Sequence, residues 1–174
     1  KSDFAEKTAI YRKSGHKTEK ILDIPQSAKE YGIDISENKI AWAQYTEDKR
    51  WNKSSWTNIA IYNMATDRFH FISHQKNYLQ PAISPNEKFV AVVEYTKERK
   101  CSIVILNAAT GKIINKYSTP NHEMAHYPSW SRDNKKILFT STGFSGRAIY
   151  ELDIKDHRFN QMTRSEEHTS ELQS

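Results

Sequence analysis

The 174-residue sequence predicts an all-β chain made of repeated four-stranded antiparallel units. Three observations carry that prediction. A segment recurs as IDISENKIAWAQY from Ile33, PAISPNEKFVAVVEY from Pro81 and PSWSRDNKKILFTS from Pro128, and its anchors Ser36, Ser84 and Ser131 lie 48 and 47 residues apart. A second register reads NIAIYNMATDRFHFIS, SIVILNAATGKIINKYS and AIYELDIKDHRFNQMT, with Asn63, Asn107 and Asp153 spaced 44 and 46 apart. Convincing helical periodicity is absent; residues 20–31 come nearest, and Pro25 interrupts them. A four-stranded unit every ~40–50 residues is the signature of a propeller blade. The expected fold is therefore a partial β-propeller of about three four-stranded antiparallel blades plus an outer hairpin of another.

Taken in order, residues 1–30 read as the outer strands of a preceding blade and a link, with the hairpin over AIYRKSGHKTEKILDI. Residues 31–77, 78–124 and 125–163 read as one blade each. In the middle repeat, β-branched and aromatic runs place strands near residues 79–83, 89–95, 102–107 and 112–117. Ser84-Pro85-Asn86 makes a turn, because Pro presets φ at the second turn position and Asn tolerates the next. Thr110-Gly111 closes the last hairpin through a positive φ at Gly111, with Asp67 at the matching place one repeat earlier. Val90, Val92, Ile103 and Ile105 alternate so as to share one buried face. Asn63, Asn107 and Asp153 are expected to cap the turn after each third strand. Trp42 and Phe139 occupy matching core positions, and Trp130 is expected between blades.

Composition excludes several classes. The chain is 37% hydrophobic, yet no apolar run approaches the ~20 residues of a membrane-spanning helix. A single Cys101 excludes an internal disulfide framework and a multi-cysteine zinc site. Phosphate-loop and dinucleotide glycine patterns are absent, as is the G-x-S-x-G elbow of a hydrolase serine. A pI near 9.2 permits nucleic-acid binding, but Lys and Arg are dispersed along turns, so no nucleic acid is expected as a partner. The chain opens at Lys1 without Met and is expected to be an excerpt of a longer protein. The string RSEEHTSELQS, residues 164–174, resembles a translated sequencing-library adapter and is expected to be a non-native tail. Without its one Arg and three Glu the formal charge rises from +5 to +7.

The third repeat carries a resemblance. PSWSRDNKKILF resembles the P-x-W-S-P-D-G-K-x-I-x-F core of TolB-like (WD-related) β-propeller repeats. Pro128, Trp130, Ser131, Asp133, Lys135, Ile137 and Phe139 match, whereas Arg132 replaces Pro and Asn134 replaces Gly. The middle repeat keeps Pro81, Ser84, Pro85, Lys88 and Val90 but has Ile83 for Trp and Asn86-Glu87 for Asp-Gly. The first repeat is two residues shorter through its turn and keeps mainly Ser36. The resemblance implies a ring completed by remaining blades of the parent chain, six being usual. It also implies a bacterial, periplasmic or cell-envelope setting. Inter-blade links and second-to-third-strand loops would share one ligand face. That places there residues 46–56, 75–80, 97–100, 122–127 and 142–147. The candidates for ligand or partner contact on it are Arg50, Trp51, Asn52, Trp56, Tyr78, Glu123, His126 and Arg147. Trp51 and Trp56 beside Lys49, Arg50 and Lys53 suit recognition, since aromatics bring contact area at low entropy cost; packing under the loop is the competing reading. Tyr45 and Tyr95 occupy matching strand ends and read either as core rims or as ligand stackers.

His122-Glu123-Met124-Ala125-His126 has the H-E-x-x-H spacing, which on a helix sets two imidazoles on one face. Here about seven residues separate Pro120 from Pro128, too few for such a helix, so an inter-blade loop is expected. His122 and His126 remain an alternative metal pair; no metal or cofactor is expected, and no catalytic residue is assigned. The function expected is a non-catalytic binding or scaffolding module within a larger protein, recognising a protein, peptide or glycan. The alternative is the substrate-gating propeller of a larger peptidase or hydrolase whose catalytic domain lies outside these residues.

Overall fold

In the computed structural model the described residues are 7–47, 55–143 and 146–163, with the His122 side chain left aside. Strands β1 (Lys7–Ser14) and β2 (Lys17–Pro25) form a hairpin that turns at Gly15, φ 58°. Three four-stranded antiparallel meanders follow. The first holds β3 (Ile33–Ile35), β4 (Lys39–Glu47), β5 (Ser55–Asn63) and β6 (Arg68–Phe71). The second holds β7 (Tyr78–Ile83), β8 (Phe89–Tyr95), β9 (Cys101–Asn107) and β10 (Ile113–Ser118). The third holds β11 (Met124–Trp130), β12 (Lys136–Gly143), β13 (Gly146–Asp153) and β14 (Arg158–Gln161). Their order in each sheet is their order in sequence, as in a propeller blade.

Residues 20–31, the stretch nearest to helical periodicity, divide at Pro25: β2 ends there and the chain closes one helical turn, α1 (Ser27–Tyr31), ended by Gly32. Ala28 drops fully into the core. The single face expected for Val90, Val92, Ile103 and Ile105 is not formed. Val90 pairs with Leu106 and Val92 with Val104, so Ile103 and Ile105 lie on the opposite side, with Ala91 and Val93. The second sheet therefore has two apolar faces rather than one. Val90, Val92, Val104 and Leu106 pack on Ala41, Ala43, Ile59 and Ile61 of the first sheet. Ala91, Val93, Ile103 and Ile105 pack on Ile137, Phe139 and Leu152 of the third. Each buried Val or Ile contributes ~1.5–3 kcal/mol. The first sheet's far face, with Ile40, Trp42 and Ala60, is covered by the β1–β2 hairpin and α1. On the third sheet's far face, Lys136 and Glu151 form an ion pair of 2.8 Å, at the positions where the second sheet has Phe89 and Ile105.

Tyr78 belongs to this core. It was expected on the ligand face but is 2% exposed, because it opens β7 and its ring turns inward between the first two sheets. Burial, then the nearby Glu94 carboxylate, push its phenol up to about 12.

The repeated serines explain themselves through local hydrogen bonds. Ser36, Ser84 and Ser131 each accept, on Oγ, the N–H of the residue opening the next strand: Lys39 at 3.2 Å, Phe89 at 3.0 Å and Lys136 at 2.9 Å. Ser84 and Ser131 also donate to the side chains of Asn86 and Asp133, at 2.7 and 2.6 Å. Lys135 contributes its backbone: its N–H reaches Asp133 and its carbonyl accepts from Ile154. Where the family pattern has Gly, Glu87 and Asn134 hold φ of 57° and 61°. Asn63, Asn107 and Asp153 each accept two backbone N–H groups at 2.9–3.1 Å, closing the turn after the third strand. Gly111, φ 71°, follows the second of these turns and lies against Ile72 of the first sheet; an added Cβ would meet the Ile72 carbonyl at 1.9 Å.

The same turns lock neighbouring sheets. The Glu87 carboxylate accepts from Ser36 Oγ at 2.6 Å and from the Asn38 N–H at 2.7 Å, while its carbonyl accepts from the Lys39 ammonium. Asn134 Oδ1 accepts the Asn86 N–H at 3.0 Å, and Asp34 accepts the Ile83 N–H at 2.6 Å. Trp130 stacks on Phe89 and donates its indole N–H to the Ala82 carbonyl at 2.9 Å. Pro85 is exposed on the Ser84 turn, whereas Pro81 and Pro128 are buried within the register breaks of β7 and β11.

Two predictions follow from these contacts. Burial alone raises the Glu87 carboxyl, but its hydrogen bonds and the Lys39 charge outweigh that and hold it below its ordinary 4.5. Its contribution is thus complete above pH 4.5 and is lost as pH falls through the lower folded value. Glu87→Gln should cost about 1–2 kcal/mol in urea unfolding near neutral pH. The gap to wild type should narrow at about pH 3; a gap independent of pH contradicts the clamp. Tyr78 has the opposite sign: a raised pKa leaves its stabilisation intact below pH 10.0 and removes it as pH climbs towards 12. In alkaline absorbance titration, wild type minus Tyr78→Phe should give phenolate only towards pH 12 or on unfolding, and a component centred near pH 10 would refute the burial.

Candidate functional site

Of the three first strands, β3 and β11 each pack against β7. The matching residues Gly32 (just before β3), Gln80 and Tyr127 all hold positive φ, of 110°, 49° and 53°. They border a cavity of about 320 Å³ that also receives Lys29, Glu30 and Asp34. Two of its polar side chains, Gln80 and Asp34, bridge neighbouring sheets. Gln80 Oε1 accepts the Tyr127 N–H at 2.9 Å, and Asp34 is bound to Ile83. An added Cβ on Gly32 would meet the Gln80 Cα at 2.5 Å, so the backbones touch here.

A wider groove of about 510 Å³ runs between the first and second sheets at the end where β4 and β8 finish. Tyr31, Tyr45 and Tyr95 supply its rings, and Lys97 and Arg99 stand at its edge. Local structure places each of them. The single turn of α1 carries Tyr31 over β4, where it stacks on Tyr45 with centroids 5.9 Å apart and planes at 16°. Tyr45 is 37% exposed. Tyr95 closes β8, and the turn beyond it is fixed by Thr96, which donates its N–H to the Lys100 carbonyl and accepts the Arg99 N–H, both at 3.0 Å, with Arg99 at φ 59°. The floor is the inter-sheet link: Thr57 donates its N–H to the Lys76 carbonyl at 2.8 Å, and Tyr95 donates to Asn77 at 3.3 Å. Backbone groups at the floor are thereby paired, and the groove presents side chains.

The other sequence-derived candidates fall elsewhere. Arg50, Trp51 and Asn52 lie outside the described residues. Trp56 is half-buried in β5 opposite Thr46. Glu123 is half-buried and accepts from Ser141 Oγ at 2.9 Å; its carboxyl covers Gly143, where an added Cβ would meet it at 2.2 Å. His126 is half-buried on β11, and burial, then the Arg147 charge, push its imidazole below its ordinary value. Arg147 is exposed on β13. Glu123, His126 and Arg147 thus share one end of the third sheet, apart from the tyrosine groove. The H-E-x-x-H segment takes no helix: residues Pro120–His122 form a 3₁₀ turn and Met124 to His126 are strand. The i, i+4 geometry of a helical zinc site is not formed, and among the described residues no group of three or more His, Cys, Asp or Glu could hold a metal. Cys101 is 1% exposed at the start of β9, raised by burial and accepting the Ala125 N–H at 3.3 Å.

Sequence reasoning paired Tyr45 with Tyr95 and placed residues 75–80 and 97–100 on the same side, but it missed Tyr31. The signal was present in the Tyr-Gly step before Ile33, since a Gly ending a helical turn fixes where the preceding ring points.

The chain matches no protein family and no curated protein. Solved structures do resemble it. One is a prolyl endopeptidase, with a TM-score of 0.63 at 14% identity over 92% of this chain and 27% of that one. The β-propeller domain of the Trilobed protease from Pyrococcus furiosus gives 0.57 at 16% over 77% and 44%. TolB from Acinetobacter baumannii gives 0.55 at 19% over 90% and 46%. The chain therefore spans less than half the length of each. At these identities the likeness is one of fold. The second sheet between two others, the Ser-centred turns and these neighbours together give the chain the fold of a partial β-propeller, similar to that of TolB: three four-stranded blades and an outer hairpin of another.

Proposed function

We propose that the chain is a non-catalytic binding module of a larger protein, which holds a protein, peptide or glycan partner in the groove between its first two blades. One observation carries the reading: three tyrosines and two cations converge on a groove of about 510 Å³, within the usual size of a ligand site. Tyrosine and arginine are the residue types that dominate recognition energetics, because they give large contact area with few rotors and a polar tip. No helix among the described residues is long and apolar enough to cross a membrane. Kinship of fold with TolB supports a bacterial periplasmic or envelope setting, with further blades of the parent chain completing the ring. Likeness to the propeller domain of a protease supports a second reading, in which the same module gates substrates for a catalytic domain elsewhere in the parent chain.

The test is selection of a random phage-displayed heptapeptide library and an oligosaccharide panel on the 174-residue chain. Enriched ligands should compete with one another and bind Tyr45→Ala at least ~10-fold more weakly, the loss expected for one central aromatic contact. Tyr45→Ala should keep its melting temperature within a few degrees. Ligands indifferent to Tyr45, or no enrichment at all, would overturn the reading.

A further inference from the structure

The charge of the groove narrows its ligand, an inference that rests on the binding reading above. We infer that the groove between the first two blades selects an acidic peptide segment, seating an apolar or aromatic side chain against Tyr45 and Tyr95 and a carboxylate at Lys97 and Arg99.

The described lining contains two charged side chains, Lys97 and Arg99, and both are cationic. The nearest acids of the second blade are engaged elsewhere. Glu94 pairs with Lys116. Glu98, on the same turn, is bound by the Thr96 hydroxyl and lies in the field of Lys100 and Lys97, which together keep it below its ordinary value. Lys97, Arg99 and Lys100 against Glu98 leave residues 97–100 with a formal charge of +2, so a carboxylate entering the groove meets net positive charge and an ammonium meets repulsion. Arg99 offers a planar fork that matches a carboxylate with two parallel hydrogen bonds.

Charge separates peptide from neutral glycan. A neutral sugar carries no charge for Lys97 and Arg99 to pair with, whereas a peptide carboxylate does. In the Tyr31–Tyr45 stack each ring covers one face of the other, so Tyr45 offers a ligand at most its edge and its remaining face. That shape suits one inserted side chain better than a run of stacked sugar rings. At the floor the Thr57 and Tyr95 N–H groups are already given to Lys76 and Asn77, so neither is open to pair with an added β-strand. Recognition is by side chains, and the peptide backbone need not be extended along an edge.

Fluorescence anisotropy on the 174-residue chain tests this with three labelled peptides, DEFDE, NQFNQ and KRFKR, and with oligogalacturonate as an anionic glycan. DEFDE should bind at least ~10-fold tighter than NQFNQ, KRFKR should not bind, and DEFDE affinity should fall as salt rises. The double variant Lys97→Glu, Arg99→Glu should abolish the preference for DEFDE over NQFNQ. Both residues are exposed, and circular dichroism checks that the variant stays folded. Equal binding of DEFDE and NQFNQ, both lost in Tyr45→Ala, would overturn the acidic preference while leaving the groove reading intact. Tighter binding of oligogalacturonate than of DEFDE would overturn the peptide assignment. Binding of no probe to the wild-type chain would overturn both.

Discussion

Strands β8 and β9 put apolar side chains on both faces of one sheet, and that double burial is the constraint on which the remaining structure depends. A two-residue side-chain period usually gives one wet face and one dry face. Here Val90 and Val92 are fully buried against the first blade, and Ala91 and Val93 are buried against the third. Neither neighbour can leave without exposing a complete apolar face. The groove exists because the first of these packings fixes the separation of β4 from β8. Tyr45 and Tyr95 stand at matching ends of those strands, so the distance between their rings is set by the core beneath them.

Hydrophobic faces alone permit sliding, since burial is roughly proportional to area and carries no direction. Directional bonds remove that freedom. Glu87 reaches across to Ser36 and Asn38, Asn134 reaches Asn86, and the Trp130 indole reaches the Ala82 carbonyl. Glycine contributes where backbones must touch: Gly111 against Ile72 and Gly32 against Gln80. The cost is local strain, with Glu87, Gln80 and Tyr127 in left-handed conformations that non-glycine residues rarely adopt. Each of the three is tied by a hydrogen bond to a neighbouring blade, which offsets that strain.

What could be read from the sequence was what repeats locally. Ser36, Ser84 and Ser131 bond within five residues, and Asn63, Asn107 and Asp153 within three, so a single strand of text contains both partners. The four strands of the middle repeat were legible to within a residue for the same reason. What depended on a neighbour was not. Tyr78 looked like a loop residue because its link is polar, yet the first blade buries it. Ile103 and Ile105 were assigned to the face of Val90 because alternation shows two faces without showing which neighbour covers each. Glu87 gave no sign of its partners, which lie 49 to 51 residues earlier. At the site, Tyr45 and Tyr95 could be matched by repeat position, whereas Tyr31 sits on an α-helical turn that the links before β7 and β11 do not repeat.

Native-state hydrogen exchange reads the central claim most directly. With both faces of the second blade covered, the backbone amides of β8 and β9 should be the slowest in the chain, opening only with global unfolding. The amides of β1 and β14, at the outer edges of their sheets, should exchange far sooner. Exchange of Val90 to Val93 as fast as that of the β1–β2 hairpin would mean that the middle sheet is not clamped between its neighbours, and the groove would lose its foundation.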